Sequence, residues 1–271
     1  MNILGRYYQI QASKGINRIL STLLLPIKAQ NQWRLHLAKK QKRVNVINGI
    51  GLYQRPLLAS YSRSGTNWIR YIVEYISGCP TPGQKRLISG NNYYIDRAHR
   101  AYPVMKFYKK VVLIIRDYRE CILRHHKDIW SDYPNVVALL TDAELEQPTS
   151  WYIKNIEAFD AFQGEKLLIY YEELLEKPEE TIMELSAFLG LDQKKTKLFL
   201  EDIDVHFQYS VNVYTREGHC SETSSTKDVR FHAETKLTPD QVKEFDEFYF
   251  SRYPDLSNKY LLRYNTRNQQ P

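Results

Sequence analysis

One segment limits the fold of this chain more than any other. A short, mostly apolar run, Leu57 to Tyr61, passes through Ser62-Arg63-Ser64-Gly65 directly into a helical pattern, Thr66 to Ser77. The run reads as a buried strand, and the turn between strand and helix carries a glycine and two hydroxyl residues within three positions. Free N–H groups and the positive end of the helix dipole meet there, which makes such a turn a natural place for an anion.

The same alternation continues downstream. Val111 to Ile115 is continuous and β-branched, as a strand buried on both faces requires, and Leu167 to Tyr171 is a third apolar run. Between them, Trp151, Ile156, Phe159 and Phe162 recur at helical spacing over Ser150 to Phe162. After the third run, Pro178 suits the first turn of a helix with the stripe Ile182, Leu185, Phe188 and Leu189, which Gly190 is placed to end. A last helix is expected from Pro239 to about Tyr249. Strands alternating with helices predict an α/β domain, with a central, mostly parallel sheet flanked by helices. In such folds ligands sit beyond the carboxyl ends of the strands. We divide the chain into a helical N-terminal extension, residues 1–55, and a single domain, residues 56–271.

Composition narrows the environment. Cys79, Cys121 and Cys220 are the only cysteines and share no CxxC spacing, which argues against a disulfide framework or zinc site and for a reducing, cytoplasmic setting. The net charge of +7 attracts anions in general, but no long basic tail collects it, so nucleic acid is not an expected partner. Ile16 to Ile27 is apolar in its middle, yet Arg18 and Pro26 interrupt it. It is shorter than the roughly 20 apolar residues of a membrane span. We read it as an amphipathic helix packed on the domain, with peripheral membrane contact the weaker alternative.

Two stretches carry the anion chemistry. The first is Tyr61-Ser62-Arg63-Ser64-Gly65-Thr66-Asn67-Trp68, where Arg63 adds fixed charge to the hydroxyls of Ser64 and Thr66. It lacks the Gly-Lys-Ser/Thr ending of a Walker loop, and with it the usual lysine and magnesium-binding hydroxyl of phosphoryl transfer. The second is Arg116-Asp117-Tyr118-Arg119-Glu120, directly after the Val111–Ile115 run. An arginine at the carboxyl end of a buried strand faces the ligand crevice, and its planar fork suits phosphate.

Together these segments resemble the 5′-phosphosulfate loop and the 3′-phosphate motif of the PAPS-dependent sulfotransferases, in the soluble, cytosolic-type branch. The resemblance spans roughly residues 56–250 and implies the P-loop-like sulfotransferase fold. It assigns Arg63, Ser64, Gly65, Thr66 and Asn67 to the phosphosulfate cradle and Trp68 to stacking on adenine. Ser62 and Asn67 depart from the family's proline and threonine without removing a donor. Arg116 matches the 3′-phosphate arginine, and Arg124 stands where the family has a serine. Tyr171 matches a tyrosine near the adenine, Phe207 joins the nucleotide pocket, and Arg216 and Gly218 match the late loop over the 3′-phosphate. Beyond it, His219 to Lys227 replaces the family's Gly-Asp-Trp stretch with a polar insertion.

Sulfuryl transfer needs a base for the acceptor proton and positive charge on the leaving oxygen. Seven histidines are candidates, and His99 is favoured by its place in Arg97-Ala98-His99, where the resemblance puts Lys-x-His with the histidine as base. Arg97 keeps that lysine's charge, and Asp96 is a weak candidate to orient His99 because neighbouring strand side chains point apart. The family works without a metal, and no ligand-spaced His/Asp/Glu cluster stands out in the sequence. The expected donor is PAPS, with PAP as product and a small molecule as acceptor. The family's C-terminal dimer motif is missing, so a monomer or a non-standard dimer is expected. Two other readings stay open: a P-loop-type small-molecule kinase, which would need the absent Gly-Lys-Ser/Thr ending, and an inactive PAP-binding scaffold, which would predict loss of Arg63 or His99, both of which are present.

Overall fold

The computed structural model describes residues 54–83, 85–129, 148–214 and 238–265. The expected N-terminal helix, Ile16 to Ile27, lies outside them. Four strands form one sheet: β1 (Leu57–Ser60), β2 (Asp96–Ala98), β3 (Lys110–Ile115) and β4 (Glu165–Tyr170). The helices are α1 (Thr66–Ser77), α2 (Tyr118–Ile129), α3 (Pro148–Asp160), the single turn α4 (Glu173–Glu176), α5 (Pro178–Leu189), α6 (Gln193–Glu201), α7 (Ile203–Tyr214), α8 (Pro239–Arg252) and α9 (Pro254–Tyr260).

All pairings are parallel, and the order across the sheet is β2-β1-β3-β4. The order reverses between β1 and β3, so the chain leaves these two neighbours toward opposite edges. Such a switch point opens a crevice at the carboxyl ends of the two strands. The loops carrying Arg63 and Arg116 are the ones that follow β1 and β3.

Alternate strand residues serve the two faces of the sheet. Leu57, Ala59, Val111, Leu113 and Ile115 pack with Ile156 and Phe159 of α3 and Phe245 and Tyr249 of α8. Leu58, Val112, Ile114 and Ile169 pack with Ile69 and Ile72 of α1, Leu185 of α5 and Phe199 of α6. Both faces are covered, which is why Leu57–Ala59 of β1 and Val111–Ile115 of β3 are apolar without alternation.

The local signals hold at most boundaries. Pro178 opens α5, and Gly190 ends it at φ 71°, its N–H donating to the carbonyls of Ala187 and Ser186. Thr238 and Gln241 form a reciprocal capping box at the start of α8. Tyr61 and Tyr171, expected as final strand residues, instead leave the sheet one residue past β1 and β4 and become the first residues of the crevice loops. The half-buried edge strand β2 had no sequence signal, being three residues long and polar at two of them. Behind α1, Glu74 is fully buried and accepts from Thr81 N–H at 3.1 Å, Leu87 N–H at 2.6 Å and Ile88 N–H at 3.0 Å. Arg70 completes the clamp through Thr81 Oγ1 at 2.9 Å and the Lys85 carbonyl at 2.6 Å. The clamp fixes the connection from α1 toward β2. Among the described residues, no helix is long and apolar enough to cross a membrane.

Candidate active site

The loop after β1 is shaped by two left-handed residues, Arg63 at φ 68° and Gly65 at φ 91°. For arginine that conformation is uncommon and marks a position held by its surroundings. Gly65 is the N-cap of α1, and no side chain caps this helix. Trp68 N–H turns back to the Gly65 carbonyl at 3.0 Å, which leaves the N–H groups of Thr66 and Asn67 to an outside acceptor, aided by the dipole. The two hydroxyls expected to face the anion are both engaged within the protein. Ser64 donates to the Tyr61 carbonyl at 2.6 Å and tightens the turn, and Thr66 donates to Ser60 Oγ at 2.8 Å. Asn67 is exposed and accepts from Arg70 Nη1 at 3.0 Å.

Arg116, buried at the end of β3, ties the second motif to the first. Its Nη1 donates to the Arg63 carbonyl at 3.2 Å and its Nη2 to Glu120 at 3.2 Å. The guanidinium lies over the Tyr171 ring, 4.4 Å from the centroid. That ring in turn rests on Gly65, where a Cβ would stand 2.1 Å from Tyr171 Cδ2. Glycine is thus needed at position 65 for its φ and for Tyr171. Burial opposes the charge of Arg116, but Tyr171, Cys121, Glu120 and Glu172 outweigh it and raise its pKa. Trp68 is buried: it stacks on Tyr71 with centroids 5.7 Å apart and meets the edge of Phe207 at 5.1 Å. Its Nε1 has no hydrogen-bond partner among the described residues. Trp68 and Phe207, two of the three rings expected at the nucleotide, do meet, as parts of an aromatic cluster that also holds Phe199.

The third component comes from β2. Pairing of Ala59 with Ala98 sets the next residues, Ser60 and His99, side by side, with Ser60 Oγ 3.2 Å from His99 Nδ1. Burial first, then the charge of Arg97, pushes the His99 pKa down to about 4, with Arg70 and His125 adding to the effect. The imidazole is therefore neutral at physiological pH, as a proton acceptor must be. Asn155 of α3 holds the backbone around it: its Nδ2 donates to the His99 carbonyl at 2.8 Å, and its Oδ1 accepts from Ala101 and Tyr102 N–H at 2.9 and 3.0 Å. The sequence pointed to neither Ser60 nor Asn155. Asp96 is turned elsewhere, accepting from Tyr108 at 3.2 Å and lying 3.8 Å from Arg55.

Arg97 is half-buried, and among the described residues it makes no hydrogen bond or ion pair. Burial and the nearby Arg70 push its pKa down to about 10. Another histidine, His206, bonds Tyr71 at 3.0 Å and stacks on Phe199 at 4.3 Å, in the aromatic cluster. Arg216, Gly218 and the polar insertion His219 to Lys227 lie outside the described residues, as does the side chain of Arg124.

No family model matches the chain, and no curated protein matches it in sequence. Among solved structures it is similar to a mouse sulfotransferase complexed with PAP, with a TM-score of 0.56 and 17% identity over 82% of this chain and 93% of that one. A sulfotransferase from Alicyclobacillus acidocaldarius matches at TM-score 0.48 and 12% identity, covering 76% of this chain and 95% of that one, too weakly to bear on the fold. The first likeness gives this chain the sulfotransferase fold.

Proposed function

We propose that this chain, built on the sulfotransferase fold, transfers a sulfuryl group from PAPS to a hydroxyl or amine of a small-molecule acceptor. One observation carries the reading: separate segments converge at the switch point. Arg116 reaches the Arg63 carbonyl at 3.2 Å, and Ser60, at the end of the same strand β1, reaches His99 at 3.2 Å. Two anion motifs and a neutral histidine thus stand at the carboxyl ends of the neighbouring strands β1, β3 and β2.

The residues suit an anionic nucleotide. Arg97 stands half-buried with no anion beside it among the described residues, and burial, then the nearby Arg70, depress its pKa, which a negative charge beside it would restore. A bound phosphosulfate supplies that charge together with the sulfuryl group and its phosphate leaving group. The α1 N-terminus and Arg63 hold the 5′ side, and Arg116 the 3′-phosphate. Arg97 stabilises charge on the oxygen that leaves. His99 takes the acceptor's proton, for which its neutral form is required. We assign the protein to the cytoplasm, as a monomer or a non-standard dimer.

Calorimetric titration with PAP, beside ATP and AMP without added metal, tests the proposal. Selective PAP binding that weakens in Arg116→Ala supports it. Equal or absent binding of all three would return the chain to the kinase or scaffold readings.

A further inference from the structure

The chain of hydroxyls from the anion loop to His99 has a direction. Thr66 donates to Ser60 Oγ at 2.8 Å, and Ser60 Oγ lies 3.2 Å from His99 Nδ1. Ser60 is fully buried and Thr66 nearly so, so neither hydroxyl has water as a ready substitute. A serine hydroxyl has one proton. Thr66 donating to one lone pair of Ser60 leaves the Ser60 proton available to Nδ1, and when it is given there the neutral ring carries its own proton on Nε2. In that tautomer Nε2 cannot accept a proton.

We propose that Ser60 is the positioning residue of His99 and that, through Thr66, it ties the tautomer of the ring to the occupancy of the anion loop. An anion in the loop claims the Thr66 proton, because a hydrogen bond to a charged acceptor is roughly twice as strong as one between neutral groups. Ser60 then donates to Thr66 Oγ1 and accepts from His99 Nδ1–H. The ring keeps one proton throughout: Nε2 loses its proton to solvent and Nδ1 takes one from solvent, which the half-buried ring can exchange with. Nε2 is left with the lone pair that a base needs. The low pKa of His99 supports the scheme, since only a neutral ring has a tautomer to select. The device makes the base competent only when the donor is bound.

The inference rests on His99 as the base and on the loop as the donor site. Histidine-labelled protein is followed by nitrogen NMR, with and without saturating PAP, and PAP binding is measured separately by calorimetry. The expected result is a change of His99 from the Nε2–H to the Nδ1–H form on adding PAP. In Ser60→Ala and Thr66→Val the tautomer becomes indifferent to PAP, while Ser60→Thr restores the change. Circular dichroism checks that each variant is folded; should Ser60→Ala fail to fold, Thr66→Val decides. A loss of kcat of roughly tenfold to a hundredfold accompanies Ser60→Ala, the size expected for a misplaced base. PAP binding with one unchanged tautomer overturns the relay and leaves the donor site standing. Absence of PAP binding overturns the donor-site reading and the relay with it.

Discussion

The Arg116 guanidinium lies over the ring of Tyr171, 4.4 Å from its centroid, and the opposite commitment of that ring is to Gly65. Arg116 is thus held by an aromatic face, by Glu120 and by the Arg63 carbonyl before any ligand arrives. A cation fixed in this way costs little to order on binding.

Replacing Arg116 with alanine leaves Glu120 buried without that partner. We expect a loss of about 3 kcal/mol or more in stability, the usual cost of breaking a buried ion pair from one side. Urea denaturation measures it, and Arg116→Ala combined with Glu120→Gln recovers a good part. PAP affinity stays low in both variants, which separates the binding role from the structural one.

Gly65→Ala tests the close approach of Tyr171. The left-handed φ alone costs roughly 1–2 kcal/mol for a residue with a Cβ. The contact at 2.1 Å adds a displacement of Tyr171 and, through it, of Arg116. The expected outcome is a lower Tm together with weaker PAP binding. A Tyr171→Ala background relieves the clash but not the backbone strain, so the two substitutions are less than additive.

His99 gives a pH signature. Its folded pKa of about 4 lies below the ordinary histidine value, with burial the largest cause and Arg97 the next. The base of the free enzyme is unprotonated above about pH 5, so the acid limb of kcat/KM falls near pH 4 rather than near 6.5. Arg97→Gln moves that limb upward. The same shift enters stability: between the two pKa values the unfolded chain binds more protons, so stability rises with pH across this window. Removing the ring in His99→Gln flattens that slope, as denaturation at a series of pH values would show.

Asn155 is buried and makes three hydrogen bonds to the backbone of the His99 segment. At about 1 kcal/mol each, Asn155→Ala is expected to cost about 3 kcal/mol. Its kcat falls while PAP affinity is kept, because the anion loop is untouched. Asn155→Asp retains the two bonds accepted by Oδ1 and loses the one donated to His99, so it falls between alanine and wild type in a thermal melt.

The sequence determined what depends on neighbours along the chain. Apolar runs with no alternation announced β1, β3 and β4 as strands covered on both faces. Pro178 and Gly190 marked the ends of α5, because φ constraints act on single residues. Arg63 with Gly65, and Arg116 after its strand, marked the two anion motifs, since each is a few consecutive residues at a strand end. Short β2 was not legible, because three residues, two of them polar, carry no period. Tertiary structure alone decided the rest. Ser64 and Thr66 looked like free donors, yet folding gave each an internal acceptor. Trp68 and Phe207 were expected at the nucleotide, and the structure sets the two rings together in an aromatic cluster. Asp96 adjoins Arg97 in the chain but faces Tyr108, whereas Ser60, 39 residues from His99, meets its ring. The reason is that a hydrogen bond reads distance in space. The parallel register of β1 and β2, which no local pattern encodes, is what set Ser60 against His99.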